Sequence, residues 1–99
     1  MSRRYHFSDQ AERDLRDIAA HIRKDNQPAA IRFVKRLRNV CRTTLVMFPN
    51  AGTRRDDLLP GMRCFSVGDY LIYFKSRDPV SILRIVHGAQ NQENLRFEP

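Results

Sequence analysis

The stretch from Gly61 to Gly88 limits what this chain can fold into more than any other part of it. It reads Gly-Met-Arg-Cys-Phe-Ser-Val-Gly-Asp-Tyr-Leu-Ile-Tyr-Phe-Lys-Ser-Arg-Asp-Pro-Val-Ser-Ile-Leu-Arg-Ile-Val-His-Gly. Three runs of β-branched, aromatic and aliphatic residues are cut by Gly68-Asp69 and by Ser76-Arg77-Asp78-Pro79, residue types that favour tight turns, so the stretch reads as an antiparallel meander. Such a sheet needs cover on at least one face, and the chain before it supplies helices.

Arg4-Tyr5-His6-Phe7 is a strand candidate too short to stand alone, so it must join the later sheet. Ser8 or Asp9 then offers a side-chain acceptor to free backbone N–H groups, and Asp9 with Glu12 approximates a capping box. Ala11, Leu15, Ile18, Ala19 and Ile22 share one helical face, which predicts a helix to about Lys24. Asp25-Asn26-Gln27-Pro28 breaks the pattern, and Pro28 suits the first turn of a second helix. Ala30, Phe33, Val34, Leu37, Val40, Cys41, Thr44, Leu45 and Phe48 keep helical spacing as far as Pro49 and are expected in the core. Residues 49–61 read as one long connection, of the kind that often carries function. The tail 90–99 is polar, with Leu95 and Phe97 as its anchors, and is expected to fray or to fold on a partner.

A chain of 99 residues is expected to form one domain with one core. Eighteen Lys and Arg against eleven Asp and Glu give a formal charge of +7, which favours acidic partners such as nucleic acid or an anionic protein. Much of that charge lies on the second helix, where Arg32, Lys35, Arg36, Arg38 and Arg42 meet no acid between Pro28 and Phe48. That face is either a solvated helix surface or a docking face for an acidic partner, with Arg38 and Arg42 as candidate contacts. No apolar run approaches the roughly 18 residues of a membrane-spanning helix. Nor does the N-terminus read as a signal peptide, so the expected location is the cytoplasm. Cys41 and Cys64 lack metal or redox spacing and read as reduced thiols.

If Gly68-Asp69 is a two-residue turn, Val67 pairs with Tyr70. Counting outward then puts Arg63, Phe65, Val67, Tyr70, Ile72, Phe74, Leu83, Ile85 and His87 on the face that meets the helices. Met62, Cys64, Ser66, Leu71, Tyr73, Lys75, Ile82, Arg84 and Val86 fall on the other. That second face is too apolar to be left wet, which suggests that a partner covers part of it, with Tyr73 and Arg84 as candidate contacts.

The chemistry-bearing residues are sparse. Neither cysteine has a histidine near it in sequence, Ser66 stands in no motif, and His6, His21 and His87 have no ligand spacing, so neither nucleophilic catalysis nor a metal or other cofactor is expected. Asp56 and Asp57 read as a solvated pair, with acid–base work as the alternative. Arg63, Arg84 and His87 gather at one end of the sheet, as an anion site or as structural residues.

Several stretches in order carry a more specific signal: Ser8-x-x-Ala11-x-x-Asp14-Leu15-x-x-Ile18, Pro49-x-x-Gly52, Leu59-Pro60-Gly61-Met62-Arg63, Val67-Gly68-Asp69-Tyr70-Leu71-Ile72-Tyr73, and Ile82-Leu83-Arg84-Ile85-Val86-His87-Gly88-Ala89. Together, over residues 5 to 91, they resemble the ParE branch of the RelE/ParE toxins of bacterial type II toxin–antitoxin pairs. The resemblance implies an α+β fold of order β-α-α-β-β-β, a helical hairpin on a small, mainly antiparallel sheet with the first strand beside the last. It implies an acidic, ParD-like antitoxin as partner, DNA gyrase as the usual target of the free toxin, and no small-molecule substrate. RelE-like mRNA interferases typically carry a Tyr-Arg pair opening the middle strand, a basic residue past the last strand and a C-terminal tyrosine. Here those places hold Tyr70-Leu71, Gln90 and no tyrosine after Tyr73. ParE chains commonly close the last strand with Gly-Ala-Arg-Asp, where this one has Gly88-Ala89-Gln90-Asn91, which implies altered target choice or a weakened toxin.

The expectation is therefore a gyrase-directed toxin without catalysis of its own, contacting partners through Arg63, Arg84, His87, Tyr73, Arg38 and Arg42. The alternatives are an mRNA endoribonuclease using Arg63, His87 and Arg84, and a non-toxic interaction module.

Overall fold

The computed structural model describes residues 4–77, 79–89, 95 and 97. Strand β1 (Tyr5–Phe7) leads into helix α1 (Asp9–Arg23), and a short break leads into α2 (Gln27–Asn39). A π-helical turn (Val40–Thr44) joins α2 to a last helical turn, α3 (Leu45–Met47). Strands β2 (Thr53–Arg54), β3 (Met62–Val67), β4 (Tyr70–Lys75) and β5 (Val80–His87) complete one sheet of order β1-β5-β4-β3-β2. Among the described residues only β1 pairs in parallel, placing Tyr5 opposite Val80 and Phe7 opposite Ile82. This is the α+β arrangement expected, with one addition: the connection that reads as loop contains β2.

The helix starts follow from their caps. Ser8 Oγ accepts from the Ala11 N–H at 3.0 Å and donates to the Leu83 carbonyl at 2.9 Å, so one hydroxyl both caps α1 and ties it to β5. Asn26 caps α2 through the Ala29 N–H at 3.0 Å, with Pro28 in the first turn. The π turn adds one residue to the helical path, closing with the Leu45 N–H on the Val40 carbonyl. The expected stripe is kept through Leu37, Cys41 and Leu45, all fully buried. Phe48, expected in the core, stands 61% exposed just past the end of α3, where the chain leaves the helix in an irregular conformation.

The principal core lies between the helices and the sheet. Ala11, Leu15 and Ile18 of α1 and Leu37, Cys41 and Leu45 from the second helical segment meet Val67, Ile72, Phe74, Ile82 and Ile85. Each fully buried side chain of this size contributes roughly 1.5–3 kcal/mol. The Gly68-Asp69 hairpin pairs Val67 with Tyr70 as expected, with Gly68 at a φ of 59°.

The β4–β5 connection is longer than a two-residue turn, since Lys75 pairs with Ser81. A bulge between Tyr73 and Phe74 then absorbs one residue. As a result Ile82 faces the helices and Leu83 the other side, the reverse of the expected placement.

The second face is not open to a partner in the way its composition suggests. Met62, Tyr73, Leu83 and Val86 are buried there under Leu58 and Leu59 from the connection and under Leu95 and Phe97. The Phe97 ring meets Tyr73 edge-on, with centroids 5.4 Å apart. The chain covers its own sheet.

Candidate partner interface

The arginines of the sheet end are engaged inside the molecule. Arg63 donates from Nε to the Ala51 carbonyl (3.0 Å) and from Nη2 to those of Asn50 (2.6 Å) and Gly52 (3.2 Å). It fixes the bend after α3, where Gly52 lies so close to the Cys64 backbone that a side chain would collide with it. Arg84 pairs with Tyr73 in the ladder, but its guanidinium does not project from the far face as expected. It donates to Asp14 of α1 from Nε at 2.8 Å and from Nη2 at 3.1 Å, and its side chain is 13% exposed. Asp14 also accepts from the Ile85 N–H at 2.9 Å, filling the edge of β5 beyond the reach of β1. A signal for this role stood in the sequence: an acid beside Ala11, Leu15 and Ile18 on an otherwise apolar helix face must be buried, and buried carboxylates need partners.

His87 is exposed, its ring against Tyr70 at 5.2 Å, with Nδ1 accepting from the Ala89 N–H. It lines a cleft of about 310 Å³ with Arg84, Asp14, Asp17 and His21. Tyr73 is fully buried, and its hydroxyl, near the Cys64 thiol and the Arg55 guanidinium, has no hydrogen-bond partner within bonding geometry among the described residues. Burial pushes its phenol up to about 12, with Cys64, its cross-strand neighbour, as a further cause. Burial also raises the Cys64 thiol, and it lifts Cys41 to about 12. Neither cysteine is an activated nucleophile.

The connection neutralises its own charges. Arg54 pairs with Asp56 at 2.9 Å, and Arg55 grips Asp57 through two bonds of 3.0 Å. The Gly61 N–H and then Arg54 hold Asp56 below the usual carboxylate range, and Arg55 does the same for Asp57. Carboxylates held ionised in this way make poor general acids. Among the described residues no cluster of three or more His, Cys, Asp or Glu is placed to hold a metal, and no helix is long and apolar enough to cross a membrane.

What the fold leaves outward is the helical hairpin. A groove of about 380 Å³ runs between α1 and α2, floored by Ala19, Ala30, Ile31 and Val34 and rimmed by Arg23, Lys35 and Arg38. Ile31 is 51% exposed there. Beside it a second cleft, of about 630 Å³, is lined by Tyr5, Arg32, Lys35, Arg36, Arg38, Asn39 and Arg42. Arg38 forks onto Glu12 of α1 (3.1 and 3.4 Å) and covers the Phe7 ring at 5.3 Å, and Arg42 donates to Asn39 at 2.6 Å. Of the six residues singled out in the sequence, Arg38 and Arg42 fall together on this surface and His87 at the sheet end, while Arg63, Arg84 and Tyr73 point inward. Gln90 and Asn91 lie outside the described residues.

The family model described as the ParE toxin of the type II toxin–antitoxin system, parDE, matches residues 5–92. The chain belongs to this family. No curated protein matches it significantly. Among solved structures, a chain of the chromosomal ParDE system from P. aeruginosa is similar at 23% identity and a TM-score of 0.70, covering 87% of this chain and 96% of that one. A chain of the toxin–antitoxin complex RelBE2 from Mycobacterium tuberculosis is similar at 20% identity and a TM-score of 0.62, covering 88% and 99%. At these identities the likeness is one of fold, and it places the ParE toxin described above in the RelE/ParE architecture.

Proposed function

We propose that this ParE toxin is held inactive by an acidic antitoxin whose amphipathic segment lies in the groove between α1 and α2. The observation that carries this reading is the groove itself, an apolar floor of Ala30, Ile31 and Val34 between rims of Arg23, Lys35 and Arg38. An amphipathic helix with acidic flanks fits such a surface. Arg38 and Arg42 meet the antitoxin's carboxylates in this reading. The descriptions of the two similar structures, a toxin–antitoxin system and a toxin–antitoxin complex, support a partner of that class.

The released toxin acts by binding DNA gyrase, the target that family membership favours, and not by chemistry of its own. The internal engagement of Arg63, Arg84, Asp56 and Asp57 supports the absence of catalysis. His87 and the cleft beside it form the target-facing end, while Arg63, Arg84 and Tyr73 hold the two surfaces in place from within.

The test is induction of the toxin with and without its antitoxin, followed by assay of the purified toxin on gyrase. Growth arrest without antitoxin, lost supercoiling and accumulated cut DNA are expected. Ile31→Glu is expected to keep toxicity and weaken antitoxin capture by more than about tenfold, the loss of a central apolar anchor. Ribosome-dependent mRNA cuts in arrested cells would replace the gyrase reading with an endoribonuclease, and unimpaired growth without antitoxin would leave a non-toxic interaction module.

A further inference from the structure

We infer that the outer face of α2 docks on the phosphate backbone of duplex DNA. This surface adjoins the groove assigned to the antitoxin and shares Lys35 and Arg42 with that reading, so the DNA contact belongs to the toxin free of its antitoxin, and the inference goes beyond that function. Its basis is a contrast between the two helices. On α1 the cations Arg13, Arg16 and Arg23 alternate with Asp9, Glu12 and Asp17, as a solvated helix surface requires. On α2, Arg32, Lys35, Arg36 and Arg38 stand at spacings of three and four with no acid among them, followed by Arg42. Like charges at these spacings destabilise a helix. Glu12 relieves Arg38 and Asn39 engages Arg42, but no carboxylate among the described residues forms a salt bridge with Arg32, Lys35 or Arg36. All three are exposed.

The lining of the cleft selects its occupant. A polypeptide draws affinity from buried apolar anchors, which lie in the neighbouring groove and not here. Single-stranded nucleic acid draws it from bases stacked on aromatic rings. The one aromatic residue in this cleft is Tyr5, which packs edge-on against Phe7 at 5.9 Å. Duplex DNA asks only for a row of cations. Ten residues separate Arg32 from Arg42, about 15 Å along a helix, and each strand of a duplex carries one charge per roughly 3.4 Å of its axis. The stripe therefore spans about four phosphates, matched by Arg32, Lys35, Arg36 and Arg42.

Fluorescence anisotropy of the full chain with a labelled duplex DNA of arbitrary sequence tests this without gyrase or antitoxin, so failure of the proposed function leaves the result readable. Binding is expected to weaken with salt at a log–log slope of about −3 to −4, the value for four released counterions. The double variant R32Q/R36Q should bind at least about tenfold more weakly, with a slope shallower by about 2. The control R16Q/K24Q removes the same charge from exposed positions away from this face and should stay within about twofold of wild type. Circular dichroism melts establish that both variants fold. The inference is overturned if the wild-type chain does not bind duplex, or if the two double variants lose affinity equally. It is also overturned if single-stranded DNA, duplex RNA or a polyglutamate peptide binds more tightly than duplex DNA.

Discussion

The two faces of the one sheet are buried by different means. On the near face, regular helices lay Leu15, Ile18, Leu37 and Leu45 against Ile72, Phe74 and Ile85, and two polar clamps fix the fit: Ser8 on the Leu83 carbonyl and Asp14 on Arg84 and the Ile85 N–H. On the far face the cover is irregular chain, Leu58 and Leu59 with Leu95 and Phe97, and the hydroxyl of the largest residue beneath it has no hydrogen-bond partner among the described residues. Packing on the near face is specified by backbone geometry and hydrogen bonds as well as by apolar area. On the far face it rests on apolar area and on backbone hydrogen bonds at Met62, whose N–H donates to the Leu59 carbonyl at 3.0 Å and whose carbonyl accepts from the Arg55 N–H at 2.8 Å. The difference assigns stability to one side of the sheet and tolerance to the other.

The strongest way to break this comparison is to truncate the near face. Phe74→Ala should cost about 3–5 kcal/mol in urea denaturation, because the helices cannot collapse into the space it leaves. A smaller loss on the near face than from an equal truncation beneath the irregular cover would overturn the assignment. Asp14→Ala should cost about 3 kcal/mol, since it removes at once the acceptor of two Arg84 hydrogen bonds and of the buried Ile85 N–H. Asp14→Asn, which keeps an acceptor for the N–H, should recover part of that loss.

Alkaline pH sharpens the comparison by probing both faces at once. Cys41 on the near face and Cys64 and Tyr73 on the far face all have pKa values raised by burial. Their unfolded forms ionise first, so the folded chain holds more protons and stability falls as pH rises. The loss begins near the ordinary thiol value of 9.0 and continues towards about 12. At about pH 10 it should reach roughly 1 kcal/mol from Cys41 alone, read as a lower midpoint in urea. The smallest effect belongs to Tyr73→Phe. Because the hydroxyl has no hydrogen-bond partner within bonding geometry among the described residues, its removal should change stability by less than about 0.5 kcal/mol or raise it slightly.

Local rules made most of the fold legible in the sequence. Ser8, Pro28 and Gly68-Asp69 act through a few neighbouring residues, so caps, helix start and hairpin register all stand where their chemistry puts them. What was not legible depends on contacts distant in the chain. The bulge that exchanges Ile82 and Leu83 is set by pairing between strands, and the cover over Tyr73 comes from Leu58, Leu59, Leu95 and Phe97. The same limit applied to the candidate site. Composition marked Arg38 and Arg42 correctly as outward cations, but it could not distinguish them from Arg63 and Arg84, whose partners lie 11 to 13 and 70 residues away.

The π turn at Val40–Thr44 has a consequence for how relatives of this chain can differ in length. Its closing hydrogen bond encloses one residue more than an α-helical turn does, so the turn holds a spare residue. Deleting Thr43, which is half-buried and whose hydroxyl donates back to the Asn39 carbonyl at 2.6 Å, lets the flanks rejoin as ordinary α-helix. Leu45 and Val46 then keep their orientation towards the core. The same deletion a turn earlier would rotate every later apolar residue by about 100°. Within the long helical segment, single-residue gaps between homologues are expected at this point, which an alignment of relatives checks.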